Sequence, residues 1–593
     1  MIVLNKRLVQ FIIAASVLSL LGVLFLHDDD PASASAPAPR PIDDLIRNAR
    51  DELDALLAKE SSNVKDAARR YRERRGRHPP PGFDAWVDFA LANNATLVED
   101  FFDQIHHDLG PFWGVEPATL RWQARSFQHT ISVRNGSASF RSDRDRRWMV
   151  LWHNLTNSVA RHLPDLDMPI NVMDESRLLV KWEAIEGHMA RERASRVLAP
   201  VENVTDGYPQ LPEPVLDPEP FDARWISTGP YWALARDTCP PGSDARNAEP
   251  PTNTSGPPPM PEGFPAHSYS GYVQNWTLAK DPCAIPHIQE MHGTFIEPIS
   301  LKTSKELFPM FGGSKLPMNN EILIPPAMYW TEDPFYSGGE EDHGGPWAEK
   351  HSKMMWRGAG TGGRNKKENW TRFQRHRFLS MVNGTSVRQA ELSADPPPNF
   401  ELPSYTHYPL GAVEDGGSLG AWVDTFSDTG FVHLVCFPAQ GNKHCPYTDP
   451  YFAVRQGMDM AAQYAYKYLP DLDGNSFSGR YRGFLRSNAL PVKATIYAEW
   501  HDSRLVPWLH FVPMDNSFVD VYGIMDYFLG VDGVRPGHDA AARTIAEDGQ
   551  AWANRVLRRE DMQIYVYRLL LEYARVLDER RNVLGYVDDL LHD

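Results

Sequence analysis

Two loops in the later half of the chain combine arginine with small residues. The first reads WRGAGTGG over residues 356–363 and contains Arg357 and Gly358. Glycine lets backbone N–H groups approach an anion closely, and a helix that follows adds the positive end of its dipole. Further arginines follow within about one helical span: Arg372, Arg375 and Arg377. The loop does not satisfy G-x-x-x-x-G-K-[ST] or G-x-G-x-x-G, so an ordinary glycine turn is the alternative.

The second loop lies within YKYLPDLDGNSFSGRYRGFLRSN, residues 466–488. It contains small residues and then cationic ones: Gly474, Asn475, Ser476, Ser478, Gly479, Arg480, Arg482 and Arg486. The fork of a guanidinium group matches pairs of phosphate oxygens. The two loops together could therefore hold a diphosphate from both sides. The alternative is a surface turn whose arginines are solvated.

An acidic residue follows an apolar run in the earlier half. The run MPINV is followed at once by MDESR, which puts Asp174 directly after a candidate strand. In open α/β sheets the carboxyl ends of the strands face the ligand crevice. A carboxylate there can accept a proton from a hydroxyl nucleophile. A helix N-cap, or a partner for Arg177, is the alternative role.

A cluster of polar residues in YAEWHDSRLVPWLHF, residues 497–511, could be mistaken for a metal site. It holds Glu499, His501, Asp502, Arg504 and His510. Their spacing matches no standard set of metal ligands, and such residues beside a strand often make structural hydrogen bonds. The chain also has no Cys-x-x-Cys pair of the kind that binds zinc. We therefore expect no metal site.

The composition of the chain limits its class. Its 593 residues suggest two or three domains. A formal net charge of −17 argues against a nucleic-acid binder, which needs a basic face. After residue 353, strand candidates at 353–357, 431–437, 492–497 and 509–514 alternate with loops and a helical stretch. This rhythm predicts an open α/β domain, followed by two long helices at the C-terminus.

The N-terminus predicts a membrane anchor. Residues 8–26 are mostly apolar and long enough to cross a bilayer. Lys6 and Arg7 precede them and an acidic run follows, so the positive-inside rule puts residues 1–7 in the cytosol and the rest in a lumen. A cleaved signal peptide is the alternative. Residues 27–80 are interpreted as a flexible stalk and a solvated helical neck, with the globular part beginning near residues 81–86.

Glycosylation signals and cysteines agree with a lumenal location. Eight asparagines lie in N-x-Ser/Thr triplets: Asn94, Asn135, Asn154, Asn203, Asn253, Asn275, Asn369 and Asn383. Four cysteines permit two disulfides in an oxidising compartment. Cys436 and Cys445 flank a short loop, so a local bridge between them is expected.

Several of these motifs occur in the order typical of one family. MMWRGAGTGG with FQRHRF, the 466–488 stretch, EWHDSRLVPWLHFVPMD and REDMQIYVYRLLLEYARV together resemble glycosyltransferase family 90. This is the capsule-associated, CAP-ten-like group of fungi, related to the Rumi-type protein O-glucosyltransferases of animals. The resemblance covers roughly residues 160–580 and is strongest from residue 353 onward.

The resemblance implies a GT-B fold, in which two Rossmann-like domains face a cleft. Residues 81–350 would carry the catalytic base and the acceptor side, residues 351–555 the donor side, and residues 556–593 a C-terminal helix. By matching motifs, Asp174 is the base. The nucleotide-sugar contacts are Arg357, Gly358, Arg375 (with Arg372 as a rival), Gly474, Asn475, Ser476, Ser478 and Arg480. Asp473 departs from the pattern, since the animal enzymes have arginine there.

The activity implied is inverting transfer of a sugar, with xylose or glucose favoured, from a UDP-sugar to a hydroxyl of a glycan or glycoprotein. No metal is required, although a divalent cation such as manganese could accompany UDP. The expected location is the Golgi or endoplasmic reticulum membrane, as a single-pass type II protein. A non-catalytic glycan-binding or scaffolding protein on the same fold is the alternative. A glycan hydrolase ranks last, because it needs a second carboxylate that the sequence does not single out.

Overall fold

A computed structural model describes residues 40–143, 146–210, 220–260, 263–337, 344–392, 395–439 and 443–591. Leu45–Asp593 form one compact unit, and the described residues 40–44 fall outside it. Within the described ranges, no helix is both long enough and apolar enough to cross a membrane. The span predicted at residues 8–26 lies outside those ranges, so the membrane anchor stays a prediction.

The half of the chain before residue 350 is rich in short helices. They are α1 Pro41–Leu57, α2 Val64–Arg75, α3 Phe83–Ala92, α4 Asp103–Leu109, α5 Pro117–Ser126, α6 Arg147–Asn157, α7 Trp182–Ala194, α8 Tyr231–Ala235, α9 Asp244–Asn247, α10 Trp276–Ala279, α11 Gly293–Ile296 and α12 Pro334–Ser337. The strands are β1 Thr130–Arg134, β2 Ser137–Arg141, β3 Leu166–Pro169, β4 Ser268–Tyr269, β5 Tyr272–Val273, β6 Phe311–Gly312 and β7 Ile322–Leu323. Strand β1 pairs antiparallel with β2 and β3, and β6 pairs parallel with β7.

A five-stranded parallel sheet organises the later half. Its strands are β8 His351–Ala359, β9 Ser427–His433, β10 Tyr466–Leu472, β11 Leu490–Ala494 and β12 Val512–Pro513. A hairpin, β13 Gly530–Val531 with β14 Arg535–Pro536, follows them. The helices are α13 Gln374–Met381, α14 Gly384–Leu392, α15 Leu419–Phe426, α16 Met460–Gln463, α17 Tyr481–Arg486, α18 Val521–Leu529, α19 Asp539–Val556, α20 Arg559–Val576 and α21 Asp588–Leu591. The α/β domain expected after residue 353 is thus confirmed, with a strand at each expected place.

The strand order of this sheet creates a crevice. The order is β12-β11-β10-β8-β9, so the chain moves from β8 outward to β9 and then crosses back to β10 on the other side of β8. Ligands of doubly wound sheets bind outside the carboxyl ends of the strands at such a switch point. The loop after β8 and the loop after β10 therefore face each other across the expected binding position. The Rossmann-like sheet expected within residues 81–350 stays a prediction.

Helix α20 packs its apolar stripe into the main core, as its periodicity predicts. Met562, Val566, Leu569, Tyr573 and Val576 are all fully buried. The helix is also anchored by hydrogen bonds to the earlier half of the chain. For example, the indole N–H of Trp86 donates to the carbonyl of Ile564 at 2.9 Å. The last long helix is therefore part of the same core as α3.

The sequence predicts that helix α2 belongs to a solvated neck, but the structure packs one face of this helix into the main core. Ala67, Ala68 and Tyr71 are buried in the same core as α20. The guanidinium of Arg575 donates to the Tyr71 hydroxyl at 2.6 Å. The reason is that one buried tyrosine and two alanines on the same face are enough to dock a charged helix whose other faces stay solvated. The globular part therefore begins before residues 81–86.

A buried ion-pair network fixes α20, and its removal has a predictable effect. Glu572 accepts from Arg575 at 2.6 Å and from Arg568 at 3.1 Å, and all three side chains are buried. Burial favours the neutral acid, but the two arginines hold the pKa of Glu572 below its ordinary value. Glu572→Gln leaves two buried cations undercompensated, so the free energy of unfolding should fall by about 3–5 kcal/mol in urea titrations. Glu579→Gln, at an exposed pair with Arg121, should change it by less than about 1 kcal/mol; equal effects would contradict the prediction.

The disulfides and the exposure of the sequon asparagines bear on the predicted lumenal location. Disulfides join Cys436 to Cys445, as expected, and Cys239 to Cys283. The sequon asparagines that are exposed are Asn94, Asn135, Asn154, Asn203, Asn253 and Asn275. Asn383 is half-buried, whereas Asn369 is buried. Most of the sequons are thus sterically open to modification.

Candidate functional site

All nine residues named from the sequence as site residues line a single cavity of about 1340 Å³. They are Asp174, Arg357, Gly358, Arg375, Gly474, Asn475, Ser476, Ser478 and Arg480. The cavity lies at the carboxyl ends of β8 and β10, where the strand order reverses. Asp174 comes from the earlier half of the chain, so the cavity joins residues more than 180 positions apart. Their chemical roles stay predictions.

Asn475 connects the two loops to the candidate base. Its side-chain oxygen accepts a hydrogen bond from the backbone N–H of Gly362 at 3.0 Å, in the loop after β8. Its side-chain N–H group lies 3.5 Å from a carboxylate oxygen of Asp174. Gly362 has a φ of +126°, a conformation that L side chains rarely adopt, so this loop needs glycine there. The contact brings Asp174 to the edge of the glycine loop.

Arg375 and Arg480 place two buried cations on this cavity. Arg375 donates to the carbonyls of Ala359 and Leu472, both at 2.9 Å. Arg480 donates to the carbonyl of Arg357 at 2.8 Å. In the part of the chain that the structure describes, neither guanidinium has a carboxylate within ion-pairing distance. Burial and, to a smaller extent, the neighbouring charge of Arg480 together lower the pKa of Arg375 to about 9.

Trp356 holds these two arginines together. It is fully buried, and the guanidinium carbons of Arg375 and Arg480 both lie 5.5 Å from the centre of its ring. An aromatic face attracts a cation, which partly offsets the mutual repulsion of the two charges. An anion that enters the cavity would relieve this repulsion further. The arrangement is therefore suited to a diphosphate.

Arg357 behaves differently from the other two cavity arginines. Its guanidinium donates to the Asp428 carboxylate at 2.5 Å and to the Asp428 carbonyl at 2.7 Å. Asp428 is thus a positioning residue that sequence reasoning missed, since it lies on the neighbouring strand β9 with no motif around it. Because its charge is already paired, Arg357 contributes less net positive charge to the cavity than Arg375 and Arg480.

The remaining arginines point to other places. Arg372, the rival of Arg375, forms an ion pair with Glu290 at 3.2 Å. Arg377 donates to the carbonyls of Met291 and Asn516, and Arg482 donates to the carbonyl of Leu557. None of these three residues lines the cavity. The geometry therefore favours Arg375 over Arg372 as the cavity arginine.

Asp174 is exposed and free of the alternative roles that its sequence allowed. Arg177 does not pair with it, because that guanidinium stacks over Trp225 at 3.6 Å and donates to the carbonyl of Lys302. The next helix, α7, begins only at Trp182, so Asp174 is not a helix N-cap. An exposed carboxylate that lines a cavity can meet a substrate hydroxyl.

The contacts of Asp473 show what this residue does at a position where it departs from the family pattern. Its carboxylate accepts from the Thr495 hydroxyl at 2.6 Å and from the backbone N–H of Ile496 at 2.8 Å. The side chain is buried and fastens the start of the second loop to the end of β11. It therefore has a structural role beside the cavity.

The polar cluster at residues 497–511 is likewise structural. Glu499 accepts from the Tyr329 hydroxyl at 2.9 Å, and Lys280 forms an ion pair with Asp502. His510 accepts from the backbone N–H of Val506 at 2.9 Å. No group of three or more histidine, cysteine or acidic residues in the described ranges is arranged to hold a metal ion.

Other residues that line the cavity carried no sequence signal. One set is aromatic and apolar: Trp148, Met328, Phe335 and Tyr336. A second set surrounds α16: Gly457, Met458, Asp459, Met460, Ala461, Gln463 and Tyr464. They belong to no motif, and only the folded chain brings them to the cavity.

A buried histidine behind the glycine loop makes stability sensitive to acid. His376 is fully buried among Trp370, Phe431 and Phe452, and burial lowers its pKa to about 3. The unfolded chain binds a proton at this histidine more tightly than the folded protein does. The stability that neutral His376 contributes is therefore complete above pH ~6.5 and is lost as the pH falls towards 3. The free energy of unfolding should fall by up to about 1.4 kcal/mol per pH unit for this group.

Melting temperatures measured from pH 7 to pH 4 test this expectation. His376→Phe keeps an aromatic ring at the position and should flatten the acid side of the profile. His433→Phe, at an exposed histidine, is the matched control and should leave the profile unchanged. Identical profiles for the wild type and His376→Phe would show that other groups govern the loss.

These observations define a mixed α/β protein with a cationic cavity at the switch point of a parallel sheet. Residues 449–586 match the family model described as glycosyl transferase family 90, so the resemblance that the motifs indicated is confirmed. The matched segment includes the loop after β10 and helix α20. Asp174, Arg357 and Arg375 lie outside it.

Curated relatives show a more distant similarity. Protein O-glucosyltransferase 3 of Rattus norvegicus and that of Mus musculus are each 29% identical to this chain over 112 residues. The human protein of the same name is 28% identical over the same length. Each alignment covers 19% of this chain and 21% of the relative, so it spans about a fifth of either protein.

Proposed function

We propose that this protein is an inverting glycosyltransferase that uses a UDP-sugar. The observation that carries the proposal is the pair of buried arginines, Arg375 and Arg480, on the same cavity as the exposed carboxylate of Asp174. Buried cations without a carboxylate partner are suited to bind an anion that arrives with the substrate. The family match supports glycosyl transfer as the reaction class.

The reaction proceeds as a single displacement. The acceptor hydroxyl gives its proton to Asp174, and its oxygen forms a bond to the anomeric carbon as the bond from that carbon to UDP breaks. Attack from the face opposite UDP inverts the configuration. The leaving diphosphate gains negative charge, which Arg375, Arg480 and the amides of the loop after β8 stabilise. Gly358, Gly474, Ser476 and Ser478 let the diphosphate come close to the backbone and supply hydroxyl donors.

The finer assignments belong to the proposal as well. The two halves form a GT-B cleft, with the acceptor on the side of Asp174 and the donor on the side of β8 and β10. Xylose or glucose is the favoured sugar, and a glycan or glycoprotein is the acceptor. No divalent cation is required, since two guanidinium groups neutralise the leaving group. The protein acts in the lumen of the Golgi or endoplasmic reticulum, held by the segment at residues 8–26.

A panel of UDP-sugars tests the proposal. The purified protein is incubated with each UDP-sugar and with oligosaccharide and glycoprotein acceptors, and released UDP is measured with and without EDTA. We expect turnover with UDP-xylose or UDP-glucose that survives EDTA. Absence of turnover with every donor, together with glycan binding that Arg480→Ala does not alter, would favour a non-catalytic lectin-like protein instead.

A further inference from the structure

Three aromatic side chains form a connected surface on the wall of the cavity. The rings of Trp148 and Tyr336 meet edge to face with centroids 6.0 Å apart, and those of Phe335 and Tyr336 meet at 4.9 Å. All three residues line the cavity. Phe335 is 50% exposed. We call Trp148, Phe335 and Tyr336 the aromatic wall.

The aromatic wall touches the loop after β10. Gly479 packs so closely against it that an added Cβ would lie 3.1 Å from the Tyr336 ring and 2.5 Å from the sulfur of Met328. A side chain at position 479 would therefore push the loop away from the wall. This contact places the wall directly beside the residues proposed to hold the diphosphate.

The aromatic wall also lies near the proposed base. Burial raises the pKa of Tyr336, and the negative charges of Asp333 and Asp174 raise it further. Asp333 lines the cavity as well and pairs with Arg147 at 3.1 Å. The wall thus combines ring faces with two carboxylates that can accept hydrogen bonds from hydroxyl groups.

The cavity is larger than one ligand needs. Sites for a single small molecule usually measure about 300–1,000 Å³, whereas this cavity measures about 1340 Å³. If a nucleotide-sugar occupies the part between the loops after β8 and β10, the part beside the aromatic wall remains for a second molecule. That second molecule would be the acceptor.

We propose that the aromatic wall is the acceptor subsite and that it binds the pyranose ring of a glycan acceptor. This inference rests on the proposed function. The apolar C–H face of a sugar ring stacks on aromatic faces, while its hydroxyls donate to Asp174 and Asp333. A peptide acceptor would rather pair its backbone N–H and C=O groups with a strand edge or fill an apolar groove.

The test separates acceptor binding from donor binding. Phe335→Ala, Tyr336→Ala and Trp148→Ala are compared with the wild type and with Phe140→Ala, a half-exposed aromatic residue outside the cavity. We expect the acceptor KM of an oligosaccharide to rise about tenfold in the wall variants, whereas UDP affinity and hydrolysis of the donor by water stay within about twofold. Tyr336→Phe keeps the ring and should resemble the wild type.

The outcomes distinguish this inference from the proposed function. An unchanged acceptor KM in folded Phe335→Ala and Tyr336→Ala proteins, or transfer to peptides but not to free sugars, would overturn the acceptor subsite and leave the transferase standing. If the wild type uses no UDP-sugar at all, the proposed function fails. Oligosaccharide binding measured by NMR, lost in Tyr336→Ala but kept in Phe140→Ala, would then still support the aromatic wall as a sugar subsite.

Discussion

An Asp174→Asn protein is expected to transfer sugar about 10²–10⁴-fold more slowly than the wild type, while it binds UDP with unchanged affinity. Asparagine has nearly the same shape as aspartate but cannot accept the hydroxyl proton. Asp174 is exposed, so its replacement should not disturb the core. Initial rates at saturating donor give the loss of transfer, and calorimetry gives the affinity for UDP.

A second carboxylate of the same cavity provides the control. Asp459 is exposed, lines the cavity and has no proposed part in proton transfer. Asp459→Asn should therefore keep its rate within a few-fold. If Asp459→Asn and Asp174→Asn lose the same fraction of activity, the loss would reflect the negative charge of the cavity, and Asp174 would not be the base. Full activity of Asp174→Asn would likewise show that Asp174 is not the base.

An Arg480→Met protein is expected to bind UDP about a hundredfold more weakly, because a charge-assisted hydrogen bond to phosphate contributes about 1.5–3 kcal/mol. Methionine keeps most of the length of the apolar stem but loses the guanidinium contacts with the rings of Trp356 and Phe484. Burial lowers the pKa of Arg480, which means that the folded protein carries this charge at a disadvantage. The melting temperature of Arg480→Met without nucleotide should therefore stay constant or rise. The rise in melting temperature that UDP causes in the wild type should largely disappear in this variant.

Arg486→Met is the matched control for this measurement. Arg486 ends the short helix α17, which Arg480 immediately precedes, but the Arg486 guanidinium is directed towards Asn554 and the residue does not line the cavity. We expect UDP to raise its melting temperature as it does in the wild type. A wild-type response to UDP in Arg480→Met would contradict the assignment of Arg480 to the diphosphate.

Much of the candidate site could be predicted because its residues lie in contiguous motifs. The loops after β8 and β10 are each one uninterrupted stretch of sequence, and Asp174 directly follows an apolar run. By contrast, Trp148 and Tyr336 reach the cavity from separate helices, and Asp428 contacts Arg357 from a neighbouring strand. Their positions depend on which strands and helices become neighbours, and that information is not local in the sequence.

In the fold as well, local features were predictable from the sequence and long-range pairings were not. The two C-terminal helices and four of the five strands of the parallel sheet were predictable from periodicity and composition, whereas β10 was not among the strand candidates. The order β12-β11-β10-β8-β9 was not predictable, since a parallel strand pairs with a partner far away in the chain. Charge patterning also misled the interpretation of α2, because one buried tyrosine outweighs a largely polar surface once α20 offers a place to dock.

The docking of Tyr71 on Arg575 determines where the protein can be shortened for expression. A recombinant form that begins at residue 81, at the sequence-based border of the stalk, would remove α2 and uncover the apolar flank of the C-terminal helix. Such a protein should aggregate or require detergent-like additives. A form that begins before Val64 retains the helix and is the better choice for secretion and crystallisation.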